Sequence, residues 1–264
     1  MKIGIVKKLG KSQSINETVE KFKRLLIESK IEYTSMPTNE KIDYLAVFGG
    51  DGTVLSNAQL AIEKDVPIIA INAGTVGFLS SFEASQIDTA VELLAGGKLT
   101  VKKKTALCVT TSDGDSYFAL NDAVIERDKF EDGFSAIAKL NFSIDGTSVY
   151  DLSADGMIIS TPTGSTAYSL SAGGVVLAPE LKSFIATPIC SHSLYTRPIV
   201  YSDEQTVKIS VRKNSCYCTL TVDGRFVKRL KQNDFVTVSK NKSVLQIVDY
   251  EEDFFNRLIK KLGK

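Results

Sequence analysis

Tyr44-Leu45-Ala46-Val47-Phe48-Gly49-Gly50-Asp51-Gly52-Thr53-Val54-Leu55 reads as a strand that turns directly into a helix. Tyr44 to Phe48 is an apolar, aromatic and branched run of strand length. After the turn, Val54, Leu55, Ala58, Leu60, Ala61 and Ile62 fall into a helical pattern. Gly49, Gly50 and Gly52 therefore surround Asp51 where strand becomes helix. Glycines there let the backbone take unusual angles and let a ligand approach the main chain. The unpaired N–H groups and positive dipole end of the following helix suit phosphate. Asp51 is the exception, because an anion beside a phosphate site repels the ligand unless a metal or a substrate hydroxyl gives it a task. A tight turn with a capping Asp is the plainer reading, but it does not require glycines packed this densely. Neither G-x-x-x-x-G-K-[ST] nor G-x-G-x-x-G after a strand occurs, which removes the P-loop and the dinucleotide fingerprint.

On either side of this turn the rhythm is the same. Met1 to Val6 is too short for a signal peptide and reads as a first strand. Ser14-Ile15-Asn16-Glu17 has the form of a capping box, followed by Ile15, Val19, Phe22 and Leu26 on one helix face. Ile31 to Ser35 predicts a short strand, and Val66 to Ile71 another that runs into Asn72 to Phe78. Gln86 to Ala95 predicts an amphipathic helix closed by Gly96-Gly97. Alternation of this kind implies a parallel sheet with helices on its faces, with ligands at the carboxyl ends of its strands.

From Val101 to Asp249 the pattern changes to short alternating runs between polar turns: Leu140–Ile144, Thr206–Val211, Cys216–Val222, Phe235–Ser239 and Val244–Val248. Phe142-Ser143-Ile144-Asp145-Gly146 and Leu220-Thr221-Val222-Asp223-Gly224 echo each other, each a strand entering an Asp-Gly hairpin turn. Tyr250 to Leu262 predicts a last helix with Glu251, Glu252 and Asp253 early and Lys260 and Lys261 late, matching its dipole. Its apolar face, Phe254, Phe255, Leu258, Ile259 and Leu262, is expected to cover the first domain. The expected fold is thus an α/β N-terminal domain with a parallel sheet, then an all-β C-terminal domain, the C-terminal helix returning to the first. The expected boundaries are 1–100 plus 250–264 for the nucleotide-binding domain and 101–249 for the β-rich domain.

Composition narrows the function. The chain has 264 residues, 43% of them hydrophobic, enough to bury a sizeable core. Its 32 Lys and Arg against 31 Asp and Glu lack the basic surplus of a nucleic-acid binder. No apolar run approaches the ~20 residues of a membrane span. Cys108, Cys190, Cys216 and Cys218 lack zinc-like spacing and read as reduced thiols in a cytoplasmic protein, with Cys216 and Cys218 on one strand face. No residue is expected to be a metal ligand. The lone His192 forms no Ser–His–acid pattern that the sequence can draw, and Lys102 to Lys104 read as a solvated strand edge.

Two further stretches carry chemistry. In Asp155 to Gly174 an apolar strand enters a turn with Thr161, Thr163, Ser165 and Thr166, followed by Tyr168. One helix cap needs one hydroxyl, whereas several can satisfy phosphate or ribose oxygens, and the tyrosine ring can stack on a base. Leu120-Asn121-Asp122 closes a short strand; its amide and carboxylate can grip ribose hydroxyls, and it reads equally as a strand-ending turn.

These three stretches, in this order, resemble the ATP-dependent bacterial NAD kinases over nearly the whole chain. Gly49-Gly50-Asp51-Gly52-Thr53 is shared with a wider superfamily of lipid kinases and phosphofructokinases, whereas Thr161 to Gly174 is much more specific to NAD kinases. Ile71-Asn72 to Gly77-Phe78-Leu79, Arg197-Pro198-Ile199-Val200 and the Phe-rich last helix also look like family features. The resemblance implies transfer of the γ-phosphoryl group of ATP, with Mg²⁺ or another divalent cation, to the adenosine-ribose 2′-hydroxyl of NAD. It implies Asp51 as the base, with Gly49, Gly50, Gly52 and Thr53 bordering the triphosphate. A carboxylate is a weak base, but phosphoryl transfer depends mainly on positioning and charge stabilisation. By the same resemblance Asn121 and Asp122 hold a ribose and its neighbours. Thr163, Thr166, Ala167, Tyr168 and Ser171 line the dinucleotide pocket, with Phe78 against the adenine. Asp155 and Cys190 fall near the nicotinamide end, often reached across a subunit boundary, which implies a homodimer or homotetramer.

Three departures from the family pattern bear on affinity more than on reaction type. Asp122 replaces the usual Glu, Ser153 stands where many relatives carry Arg, and Cys190 packs as a small hydrophobe would. The competing readings are a lipid kinase of the diacylglycerol type, and a non-catalytic NAD-binding regulator. The retained Asp51 counts against the second, since a binding module gains nothing from an anion beside phosphate.

Overall fold

Strand and helix alternate at first: β1 (Lys2–Lys7), α1 (Gln13–Glu28), β2 (Glu32–Ser35), β3 (Tyr44–Phe48), α2 (Asp51–Glu63), β4 (Ile68–Asn72), the short β5 (Phe82–Glu83), α3 (Ile87–Ala95) and β6 (Thr100–Lys104). The computed structural model describes residues 1–8, 10, 12–74, 77–128, 137–250 and 254–263. α1 buries Ile15, Val19, Phe22 and Leu26, the face its periodicity marks. Its start differs from the expected capping box. Ser12 is the N-cap and its side chain makes no capping bond. Glu17 is instead engaged by the Gln13 amide at 2.8 Å, one helical turn away, and so does not reach back to a cap. A reciprocal box forms elsewhere, between Glu83 and Gln86 ahead of α3.

A run of strands follows: β7 (Leu107–Thr111), β8 (Ser116–Ala119), β9 (Asp122–Arg127), β10 (Ala138–Ile144), β11 (Thr147–Ala154), β12 (Gly156–Ser160), the single-turn α4 (Tyr168–Ser171), β13 (Ser183–Ile189), β14 (Ile199–Ser202), β15 (Val207–Val211), β16 (Cys218–Val222), β17 (Arg225–Leu230) and β18 (Phe235–Lys240). They form two antiparallel sheets, ordered β11-β10-β15-β18-β7-β8 and β14-β13-β12-β9-β16-β17. Alternate residues of both sheets, among them Val109, Phe142 and Ile209 from one and Ile125, Ile159 and Phe184 from the other, meet in one core. Cys218 lies in that core with Cys216 packed against it, but β16 begins only at Cys218, so the two do not share the strand expected of them.

The echoed Asp-Gly stretches are real structural counterparts. Asp145 and Gly146 have φ of 47° and 81°, and Asp223 and Gly224 have 47° and 74°, the left-handed pair that joins two strands tightly. Each hairpin carries a register shift at the same place, between Phe142 and Ser143 and between Leu220 and Thr221. In each, the turn carboxylate caps the start of the next strand inward: Asp145 accepts the Thr206 amide, and Asp223 accepts amides ahead of β9.

The chain then returns through β19 (Leu245–Asp249) and α5 (Phe254–Leu262). β19 lies parallel to β4 and antiparallel to β6, giving the order β2-β1-β3-β4-β19-β6 with β5 beside β4. Strand rhythm alone assigned β6 and β19 to the second domain. Their hydrogen bonds attach both to the first sheet instead, and the compact units are Met1–Lys104 with Val244–Lys264, and Thr105–Ser243. α1 and α3 cover one face of the first sheet, packing on Ile3, Ile5, Phe48, Ile69 and Ile71. α2 buries Val54, Ala58 and Ala61. Lys102 on the edge strand β6 pairs with Asp249 at 2.6 Å.

α5 returns to the first unit, but only part of the apolar face its sequence promises is covered: Phe254 and Leu258 are half-buried, with the Phe254 ring 6.2 Å from that of Phe78. The helix's buried residue is Arg257. Phe255, Ile259 and Leu262 stay 57%, 67% and 52% exposed. The guanidinium reaches two backbone carbonyls, which orients the helix alongside the partly covered apolar stripe. The expected acidic start, Glu251 to Asp253, lies outside the described residues, as do Thr75 and Val76.

Candidate active site

In the first unit everything converges on the turn after β3. Gly49 has φ +154°, and a Cβ there would meet the Thr53 Oγ1 at 2.3 Å, so only glycine fits. Gly50 caps α2 without any side-chain bond, and Asp51 follows in the first turn with Gly52 and Thr53. The Asp51 carboxylate is then held from β4's outgoing loop. Phe78 donates its amide to Oδ2 at 2.9 Å and Leu79 to Oδ1 at 3.0 Å. Lys261, near the end of α5, stands 3.7 Å from Oδ2 with its ammonium 4.3 Å from the centre of the Phe78 ring. Phe78 is half-buried, with the Phe254 ring 6.2 Å away.

Beside the turn a cavity of about 730 Å³ opens, lined by Lys7, Lys8, Lys23, Gly52, Thr53 and Ser56. It lies where β1 and β3 end side by side and where the strand order reverses, since β1 is followed by β2 on one side and β3 on the other. That reversal is the place where open α/β sheets bind ligands. Three lysines and a helix N-terminus suit an anion. None of these lysines was singled out from the sequence, because their proximity depends on β1 pairing with β3 and on α1 packing against that sheet.

In the second unit the remaining candidates gather on and beside β9 and β12. These strands pair with Asp122 opposite Ser160 and Glu126 opposite Gly156. At one end sits the Asn121–Asp122 corner. Its amides are gripped by Asp223, whose Oδ2 accepts Leu120 at 2.8 Å and whose Oδ1 accepts Asn121 at 2.7 Å and Asp122 at 3.2 Å. Asp122 is 5% exposed. Burial first, and the neighbouring Asp223 charge second, push its carboxyl up to about 7. Burial also raises Asp223, but the three amides favour its anion, so Asp122 is the partner that keeps its proton longer.

The hydroxyl-rich turn packs onto the same corner, and most of it is structural. Thr161 donates to the Leu120 carbonyl at 2.6 Å, Ser165 to the Pro162 carbonyl at 2.7 Å, and Thr166 to the Thr163 carbonyl at 3.3 Å. Thr161 and Ser165 are wholly buried. Thr163 and Ala167 are half-buried, while Tyr168 and Ser171 are exposed. Thr161 thus ties the turn to the corner ahead of β9, Ser165 and Thr166 bond within the turn, and Thr163 and Thr166 are only half-buried.

The other end of β9 brings in residues that the sequence did not flag. Tyr168 donates its hydroxyl to Glu126 at 2.9 Å. Burial and that carboxylate push the phenol up to about 12. Arg127 meets Asp155 through Nε at 2.8 Å, and its amide donates to the Asp155 carbonyl. Asp155 in turn donates its amide to the Ile189 carbonyl, next to Cys190, which is exposed and so does not pack as the small hydrophobe expected of it. Arg127 therefore places a cation at Asp155, two residues from the Ser153 that lacks one. Strand register alone creates this cluster, so no local signal announced it. His192 is exposed and donates its amide to the Ser153 carbonyl.

The chain matches two family models in series, the ATP-NAD kinase N-terminal domain over residues 3–99 and the ATP-NAD kinase C-terminal domain over residues 120–250. It is 38% identical to an NAD kinase of Koribacter versatilis, over 83% of this chain and 77% of that one. With an NAD kinase of Thermoanaerobacter sp. the identity is 32% over 99% and 98% of the two chains. Among solved structures it superposes on yeast NADH kinase complexed with NADH with a TM-score of 0.85, at 25% identity over 99% of this chain and 87% of that one. An Archaeoglobus fulgidus NAD kinase in complex with ATP gives a TM-score of 0.80 over 100% and 99% of the two chains, and at 24% identity speaks to the fold alone. Matching both family models in order, and relatives over nearly their full length, the chain belongs to the ATP-NAD kinase family.

Proposed function

We propose that the chain transfers the γ-phosphoryl group of ATP to the 2′-hydroxyl of the adenosine ribose of NAD, giving NADP, with Asp51 accepting the hydroxyl proton. The observation that carries this reading is the holding of Asp51. Each carboxylate oxygen takes one backbone amide, and the side chain remains 29% exposed. A carboxylate has about four acceptor sites, so two are committed to orientation and the rest can face a substrate hydroxyl. Fixing the acceptor in line with the donor phosphate is the main work in phosphoryl transfer.

The lysine-lined cavity beside Gly50, Gly52 and Thr53 is suited to the donor's phosphates, with Gly49 preceding them on the turn. Phe78 is read against the adenine. In the second unit Asn121 and Asp122 would hold a ribose and its neighbours. Thr163, Thr166, Ala167, Tyr168 and Ser171 would line the dinucleotide pocket, with Asp155 and Cys190 toward the nicotinamide. Among the described residues no three His, Cys, Asp or Glu side chains gather as a cage. One carboxylate with nearby hydroxyls fits a Mg²⁺ that enters chelated by the triphosphate, as that ion is commonly held. When bound, it supplies neutralisation of phosphate charge.

We read the protein as a cytoplasmic homodimer or homotetramer. Free thiols and the exposed Leu194 and Tyr195 beside Cys190 support that reading, and light scattering on the purified chain tests the assembly. No helix among the described residues is long and apolar enough to cross a membrane.

The test is NADP formation from NAD, ATP and Mg²⁺ by the wild type and by Asp51→Asn. The variant should lose about a hundredfold or more in kcat while still binding NAD. Equal rates would remove Asp51 as the base. Phosphorylation of diacylglycerol in place of NAD would favour the lipid kinase, and tight NAD binding without turnover in the wild type would favour the regulator.

A further inference from the structure

An uncompensated carboxylate at a phosphate-compatible turn opposes the charge of any phosphoryl donor. The structure compensates Asp51 from two distant stretches of chain. The Phe78 and Leu79 amides orient its oxygens. The Lys261 ammonium lies 3.7 Å from Oδ2, beyond a hydrogen bond but within ion-pair distance, and is steadied by the Phe78 ring. What fixes Lys261 there is Arg257, one turn earlier on α5. Arg257 is 8% exposed and donates to the carbonyls of Phe78 at 3.2 Å and Ser80 at 2.8 Å. The loop that gives its amides to Asp51 thus gives its carbonyls to α5, and helix, loop and carboxylate form one connected assembly. A lysine serving only the helix dipole has no need to lie against a carboxylate of another element.

We infer that Lys261 is a positioning residue for Asp51: it offsets the carboxylate's charge and fixes its orientation so that a polyanionic phosphoryl donor can bind beside it. The inference rests on the kinase reading above. A half-exposed ion pair of this kind adds little to folding, so the effect of Lys261 falls on the donor, through Asp51, and not on stability.

The experiment compares the wild type, Lys261→Met, Lys261→Arg, Asp51→Asn and the Asp51→Asn/Lys261→Met double variant. It measures equilibrium binding of Mg·ATP, steady-state kinetics for ATP and NAD, and thermal midpoints. Lys261→Met should weaken Mg·ATP binding and lower kcat, each by about tenfold. The KM for NAD and the thermal midpoint should stay near wild-type values, and Lys261→Arg should recover most of the loss. In the Asp51→Asn background, where no anion remains to offset, Lys261→Met should not weaken Mg·ATP binding further. The inference is overturned if Lys261→Met leaves both binding and kcat unchanged. It is equally overturned if binding in the double variant falls by the product of the single effects, since Lys261 would then meet the donor directly. A wild type that binds Mg·ATP but forms no NADP defeats the kinase reading, while the binding comparison still decides the role of Lys261.

Discussion

Gly77 and Asp51 stand so close that a Cβ on residue 77 would fall 2.1 Å from the carboxylate Oδ1 and 2.8 Å from the Ser80 hydroxyl. The loop can give its next two amides to Asp51 only because residue 77 has no side chain. Gly77→Ala must displace either the carboxylate or the loop. We expect NADP formation to fall at least about tenfold, because small displacements of a positioned group cost rate steeply. The thermal midpoint should drop by a few degrees, as for other overpacked sites. Wild-type kinetics in Gly77→Ala would mean that the Asp51–loop contact is dispensable.

The contrast between Asp51 and its partners shows what a sequence exposes. Strand, glycines, acid and helix are consecutive, so the turn is legible from local pattern, as are the α/β start and the β-rich middle. Gly77 to Leu79 and Lys261 act through backbone amides and a single ammonium brought in from afar, and such contacts leave no spacing to read. Asp223 looked like a hairpin residue and is one, yet its carboxylate also grips the Asn121 corner about a hundred residues earlier in the chain. The opposite error occurs at Thr161 and Ser165. Their hydroxyls read as ligand groups, but burial requires them to be satisfied internally, and the Leu120 and Pro162 carbonyls satisfy them. The last helix is legible in part: it returns to the first unit with Phe254 against Phe78, but its one buried residue is Arg257, which its apolar stripe did not announce.

Replacing Asp223 by Asn separates its turn role from its grip on the corner. Asn tolerates the left-handed conformation as Asp does, so the φ of 47° stays accommodated. What is lost is the second acceptor oxygen, leaving an amide NH₂ against backbone N–H groups that now sit unsatisfied. The expected cost is about 1–3 kcal/mol of stability, read as a lower denaturant midpoint at unchanged slope. The KM for NAD should rise more than the KM for ATP, since Asn121 and Asp122 ride on those amides. An equal rise in both would show general loosening instead.

Asp122 makes stability depend on pH in a defined direction. Its folded carboxyl stands at about 7 against an ordinary value of 3.8, so the native state holds this proton more tightly than the unfolded chain. The stabilising contribution is complete below about 3.8 and is lost as pH rises through about 7. Asp122→Asn, which cannot ionise, should therefore gain on the wild type as pH climbs from 4 to 8 in urea melts. A gap between the two proteins that stays constant over that range would show that Asp122 ionises as freely in the folded state as in the unfolded one.

The cavity at the β1–β3 boundary offers a separate test of where the donor binds. Lys8 donates its amide to the Phe48 carbonyl at 2.8 Å, which ties the end of β1 to the residue just before Gly49. Its side chain lines the cavity with Lys7 and Lys23, but Lys7 is hydrogen-bonded to Asn16 and Lys23 is paired with Glu20. Reversing the charge at Lys8 leaves those contacts and the backbone tie intact while placing an anion at the cavity wall. Lys8→Glu should raise the KM for ATP by about tenfold at low salt and less at high salt, because screening weakens such interactions. The KM for NAD should hold within about twofold, as expected of a group that meets only the donor. If Lys8→Glu moves the KM for NAD and leaves that for ATP alone, the cavity belongs to the acceptor. The triphosphate would then have to approach the Gly49–Thr53 turn from another side.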